Sequence, residues 1–93
     1  MKKFVFLYMG EANSDSMEDW MKWFSTVEGS IVDSGNPFGH GKEVNNGKTS
    51  DLGHGEGAVT GYSIFNAESM EAAEKLLEGC PAKVVRIYEA MPM

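Results

Sequence analysis

The chain has 93 residues, one cysteine, two histidines and a formal charge of −6, from fourteen acids against eight bases. That is one domain, residues 1–93, with no intrachain disulfide and no basic stripe of the kind that nucleic-acid binding needs. A chain this short buries only about two-thirds of its unfolded surface, which leaves a metal or a second copy of itself as the outside support for a small core.

Met1-Lys2-Lys3 precedes the apolar run Phe4-Val5-Phe6-Leu7-Tyr8-Met9, which ends at Gly10-Glu11. The run is too short to span a membrane and no small-residue cleavage site follows it, so the expectation is a strand in a cytoplasmic protein. A single thiol, Cys80, fits a reducing compartment. Asp15 followed by Glu18 makes a capping-box pattern, and Met17, Trp20, Met21, Phe24, Val27 and Ile31 recur at helical spacing up to a stop at Gly35. Residues 35–57 then hold seven glycines, three asparagines and one proline. Within them a strand is predicted around Lys42 to Asn45, followed by a polar loop whose Asn46-Gly47 favours a tight turn. Val59 to Phe65 reads as a strand. Ser69 caps a second helix with the apolar face Met70, Ala73, Leu76 and Leu77, ended by Gly79 and Pro81. Val84 to Tyr88 makes the last strand.

The order β-α-β-β-α-β predicts an α+β, ferredoxin-like domain with a four-stranded antiparallel sheet and both helices on one face. A bare second face should be polar at alternate positions. In the first strand Phe4, Phe6 and Tyr8 point one way and Val5, Leu7 and Met9 the other, and neither set is polar. An uncovered apolar sheet is a larger patch than monomers tolerate, so a homodimer through the sheet faces is expected.

Several segments together carry a family resemblance: Lys3-Phe4-Val5-Phe6-Leu7-Tyr8, Ser34-Gly35-Asn36-Pro37-Phe38-Gly39, Thr60-Gly61-Tyr62-Ser63-Ile64, Ala67 to Ala73, and Gly79-Cys80-Pro81. In order and spacing they resemble the YCII-related family over nearly the whole chain. The resemblance implies dimeric α+β barrels, ferredoxin-like subunits paired through their sheets. It also implies, for the enzyme-like branch, a His–Asp pair in a pocket between sheet and helices. This chain departs from that pattern: the first helix opens Asp15-Ser16-Met17-Glu18 without a histidine, and Cys80 stands before Pro81 where the aspartate belongs.

Other residues bear on chemistry. His40 and His54 each sit between glycines, as an acid–base pair or as exposed loop histidines. With no third ligand at fitting spacing they define no metal site, and no cofactor motif is present. Cys80 falls at a helix C-terminus, where the dipole opposes a thiolate, so a packing role is expected. Arg86, the single arginine, interrupts an apolar strand. It either pairs with an acid across an interface or receives an anionic ligand. Tyr8, Tyr62 and Tyr88 offer hydroxyls on apolar rings and, with Arg86, form the expected ligand-binding set. Core packing accounts for Trp20 and Phe24, whereas Trp23 falls off the main stripe and is expected at a pocket mouth or against a partner. The functional expectation is a homodimer binding a small organic, anionic molecule in a sheet-lined cavity. The alternatives are a cofactor-free enzyme doing proton-transfer or lyase chemistry on a small acid, with His54 or His40 as base, and a structural interaction module.

Overall fold

The computed structural model describes residues 1–10, 17–53 and 57–93. The expected capping box at Asp15 and the histidine His54 lie outside the described residues.

β1 (Lys2–Met9) is the centre of the molecule. It pairs antiparallel with β5 (Val59–Ala67) on one side and with β6 (Val84–Ala90) on the other. β2 (Ile31–Asp33) joins the outer edge of β5, giving a four-stranded antiparallel sheet in the order β2-β5-β1-β6. Among the described residues there are two α-helices, α1 (Met17–Thr26) and α2 (Met70–Lys75). This α+β arrangement is compatible with a ferredoxin-like fold.

The alternation along β1 sets up the core. Phe4 and Phe6 are fully buried, and with Tyr8 they meet Phe65 from β5, Trp23 from α1, nearby Val27 and Ala73 from α2. Both helices therefore contribute to one core, on one face of the sheet. No helix among the described residues is long and apolar enough to cross a membrane.

α1 differs from the expected helix in two ways. It stops at Thr26, and a 3₁₀ turn (Glu28–Ser30) leads straight into β2. The β-branched Thr26 and Val27 followed by Gly29 are poor helix formers, and Thr26 turns its hydroxyl back onto the Trp23 carbonyl at 2.6 Å. Trp23 is also the helix's buried anchor, 2% exposed, while Met17 and Met21 are 75% and 66% exposed. Its ring lies among Tyr8, Trp20, Phe24 and Phe65, and its indole N–H donates to the Leu76 carbonyl at 2.9 Å. The expected pocket-mouth or partner role for Trp23 is thus replaced by a core role. Trp20 and Phe24 are partly buried beside it.

The strand expected near residues 42–45 exists, but it is not part of the main sheet. β3 (Gly41–Asn45) and β4 (Lys48–Leu52) form a separate hairpin, with Asn46 at φ 51° and Gly47 at φ 83° in the turn that the dipeptide predicts. Lys42, Glu43 and Asn45 leave only Val44 as an apolar contribution from β3, whereas Ile31 of β2 can pack against the core at Phe65. The sheet therefore takes the three-residue segment. α2 starts as expected, with the Ala72 N–H donating to Ser69 Oγ at 3.1 Å, and Gly79 ends the following turn at φ 82°.

Candidate functional site

Among the described residues, no helix lies on the second face of the sheet. Cross-strand partners share a face, so its composition follows from the register. Leu7 stands between Tyr62 of β5 and Arg86 of β6, Val5 between Ile64 and Tyr88, and Lys3 between Asn66 and Ala90. Val5, Leu7 and Ile64 form a half-buried apolar centre, with Tyr62 half-buried beside them and Arg86 and Tyr88 exposed on β6.

Tyr62 is held firmly. Its ring stacks on Phe38 with centroids 5.6 Å apart and planes inclined at 20°, and its hydroxyl donates to Asp33 Oδ2 at 3.2 Å. The segment carrying Phe38 lies against β5 through Phe38 N–H to the Thr60 carbonyl at 2.8 Å and Tyr62 N–H to the Asn36 carbonyl at 3.3 Å. Asp33 in turn accepts the Gly35 N–H on Oδ1 at 2.8 Å. Asp33 was not among the residues expected from sequence. The pairing of Ile31 with Phe65 and of Asp33 with Ile64 places a bulge in β2, and the bulge turns Asp33 onto the open face.

The structure thus brings Tyr62, Arg86 and Tyr88 onto one face and separates Tyr8 from them. Tyr8 points into the helix-covered core, where its ring meets Trp20 edge-on at 4.9 Å. Its hydroxyl donates to Ser63 Oγ at 2.8 Å, and Ser63 donates onward to the Ser34 carbonyl at 2.6 Å. Burial raises the Tyr8 phenol above its ordinary value of 10.0; the Ser63 hydrogen bond opposes that shift and the charge of Cys80 adds to it. Its stabilising contribution is therefore complete below pH 10.0 and is lost above it, as the unfolded chain gives up this proton first. Ser63→Ala, which leaves a buried phenol donor without its acceptor, is expected to cost about 1–3 kcal/mol in urea unfolding at neutral pH. An alkaline titration in which Tyr8 ionises at the ordinary phenol value of 10.0 would contradict the burial argument.

His40 belongs to the hairpin, with Nε2 3.5 Å from Asp51 Oδ1 on its exposed surface; Lys42 Nζ is 4.0 Å from the same oxygen. Among the described residues no group of three or more His, Cys, Asp or Glu side chains is placed to hold a metal ion. A shallow groove of about 460 Å³ runs between α1 and the turn after α2, lined by Asp19, Lys22, Trp23, Thr26, Glu78, Gly79 and Pro81. It carries two acids against one lysine, an unfavourable setting for an anion. The open sheet face, with its apolar centre, two phenols and one guanidinium, is the better candidate.

No known family model, curated protein or solved structure matches the chain.

Proposed function

We propose that this protein is a homodimer of the YCII-related, dimeric α+β barrel type, which closes its open sheet face against that of a second copy and holds a small organic molecule in the enclosed space. The observation that carries the reading is the uncovered row of Val5, Leu7 and Ile64 flanked by Tyr62 and Tyr88. Apolar side chains in the middle of a bare sheet are stabilised when another layer removes them from water, at about 25 cal/mol per Å². A second copy supplies such a layer without any further component. The phenols give the enclosed surface hydrogen-bonding groups at its margin, the pattern of a small-molecule site with an apolar lining and few polar anchors.

Binding is favoured over catalysis because His40, the candidate base among the described residues, faces Asp51 on the hairpin surface. The test is sedimentation equilibrium at low and high salt, followed by native mass spectrometry of the same sample. A dimer at both salts is expected, since apolar contact is not screened, with added mass from the bound molecule. A stable monomer would overturn the reading.

A further inference from the structure

Among the described residues the sheet strands place three charges on the open face, Lys3, Asp33 and Arg86, and their placement is informative. Asp33 lies on β2 and Arg86 on β6, the two outermost strands of the sheet. Lys3 sits at the far end of β1, two side-chain rows from the Leu7–Arg86 pair. Arg86 and Tyr62 share the Leu7 row; Asp33 is registered with Ile64, and its carboxylate reaches back to the Tyr62 hydroxyl. Asp33 and Arg86 are therefore within about one row of each other along the strands, but separated by three strand spacings, roughly 14 Å, across the sheet. They cannot pair within one chain. Among the described residues no carboxylate lies within ion-pair distance of Arg86; the salt bridges are Lys2–Glu89, His40–Asp51 and Lys42–Asp51.

We infer that Arg86 pairs with the partner's Asp33, and that this reciprocal contact sets the register of the two sheets. The inference rests on the dimer reading above and specifies its geometry. Two faces can meet about a two-fold axis that runs along the strands or across them. An axis across the strands keeps each edge over its own copy, stacking β2 on β2 and β6 on β6, so that like charges share an edge. An axis along the strands exchanges the edges, laying β2 of one copy over β6 of the other while keeping the rows level. Asp33 then stands opposite the partner's Arg86 at both ends of the interface. Packed sheets lie about 10 Å apart, a gap that a long arginine and a short aspartate span together. The Asp33 carboxylate is already oriented by Gly35 N–H and the Tyr62 hydroxyl, so little side-chain freedom is lost when the guanidinium arrives. Like-charge edges disfavour the other axis, so the pair selects between two dimers that bury the same apolar centre.

The experiment is a charge-reversal cycle on the full chain, with the dimer dissociation constant read by sedimentation and the fold of each variant checked by far-ultraviolet circular dichroism. Asp33→Lys and Arg86→Glu are each expected to weaken the dimer on the order of 100-fold, two contacts at about tenfold each. The double variant, with the charges exchanged, is expected to return to within about fivefold of the wild type. Asp33→Asn keeps the Gly35 N–H on its amide oxygen and donates its NH2 to the Tyr62 hydroxyl oxygen in place of accepting from it; without the charge it should weaken the dimer by about tenfold, which separates the ion pair from any local disturbance of β2. A wild-type dimer indifferent to both reversals, or sensitive to Arg86→Glu alone because a bound anion is the counter-charge, would overturn the pairing while leaving the dimer in place. A monomeric wild type would overturn both.

Discussion

Replacing Trp23 by alanine is expected to lower the folding free energy by about 3–5 kcal/mol, a large share of the ~5–15 kcal/mol that a small domain has in total. Trp23 joins both helices to the sheet. Its ring meets Phe24 at 5.0 Å, Phe65 at 5.8 Å, Trp20 at 6.0 Å and Tyr8 at 6.3 Å, between centroids. Its indole N–H satisfies the Leu76 carbonyl at the end of α2. Truncation opens a cavity in the aromatic part of the core and leaves that carbonyl without its donor. Trp23→Phe separates the two effects, because a ring remains while the N–H is lost; about 1–2 kcal/mol is expected for it. The measurement is urea unfolding at one fixed protein concentration, since a dimer makes apparent stability concentration-dependent. Equal and small losses for the two variants would mean that Trp23 is a surface residue after all.

The same residue shows what the sequence could and could not convey. Helical spacing correctly marks an amphipathic segment, but Met17, Met21, Trp20 and Phe24 define a stripe whose centre is displaced from the buried side chain. The burial of Trp23 depends on α2 and Phe65, more than forty positions away in the chain. β1, β5 and β6 were legible because each is long enough to show its own composition, and Ser69, Gly79 and Asn46-Gly47 were legible because capping and turn geometry are local. β2 was not. Ile31 continues the helical stripe four positions after Val27, and three residues are too few to display a strand period. Its strand character comes from pairing with β5.

The candidate site divides along the same line. Alternation along β6 places Arg86 and Tyr88 together, opposite Val85 and Ile87, and that much follows from period two. Alternation along β1 equally places Tyr8 with Phe4 and Phe6, but which of the two faces the helices cover is a tertiary fact. Tyr8 therefore belongs to the core, on the face away from Tyr62. Asp33 needs a bulge to reach the open face, and a bulge is defined by two residues opposing one on another strand. The local trace of that arrangement is Asp33-Ser34-Gly35, the pattern of an aspartate accepting the N–H two residues on.

Gly35→Ala tests how rigidly this corner is built, and it is expected to cost about 3–5 kcal/mol. Gly35 has φ 78°, where an L side chain is itself unfavourable by about 1–2 kcal/mol. A Cβ there would lie 1.7 Å from the Tyr62 carbonyl oxygen and 2.6 Å from its carbon, both backbone atoms of β5. No rotamer relieves such an overlap, so β2 must move away from β5. The move pulls Ile31 from the core and separates Asp33 from the Tyr62 hydroxyl. Gly10 provides the control: it has φ 85°, yet among the described residues an added Cβ meets nothing within 4 Å. Gly10→Ala therefore carries the torsional cost alone, about 1–2 kcal/mol in the same urea titration. The difference between the two variants measures the clash, and similar losses for both would mean that β2 yields easily. A yielding β2 could not hold Asp33 in a fixed register. The two-fold pairing therefore requires a large gap between the variants, and Gly35→Ala should weaken the dimer as well as the fold.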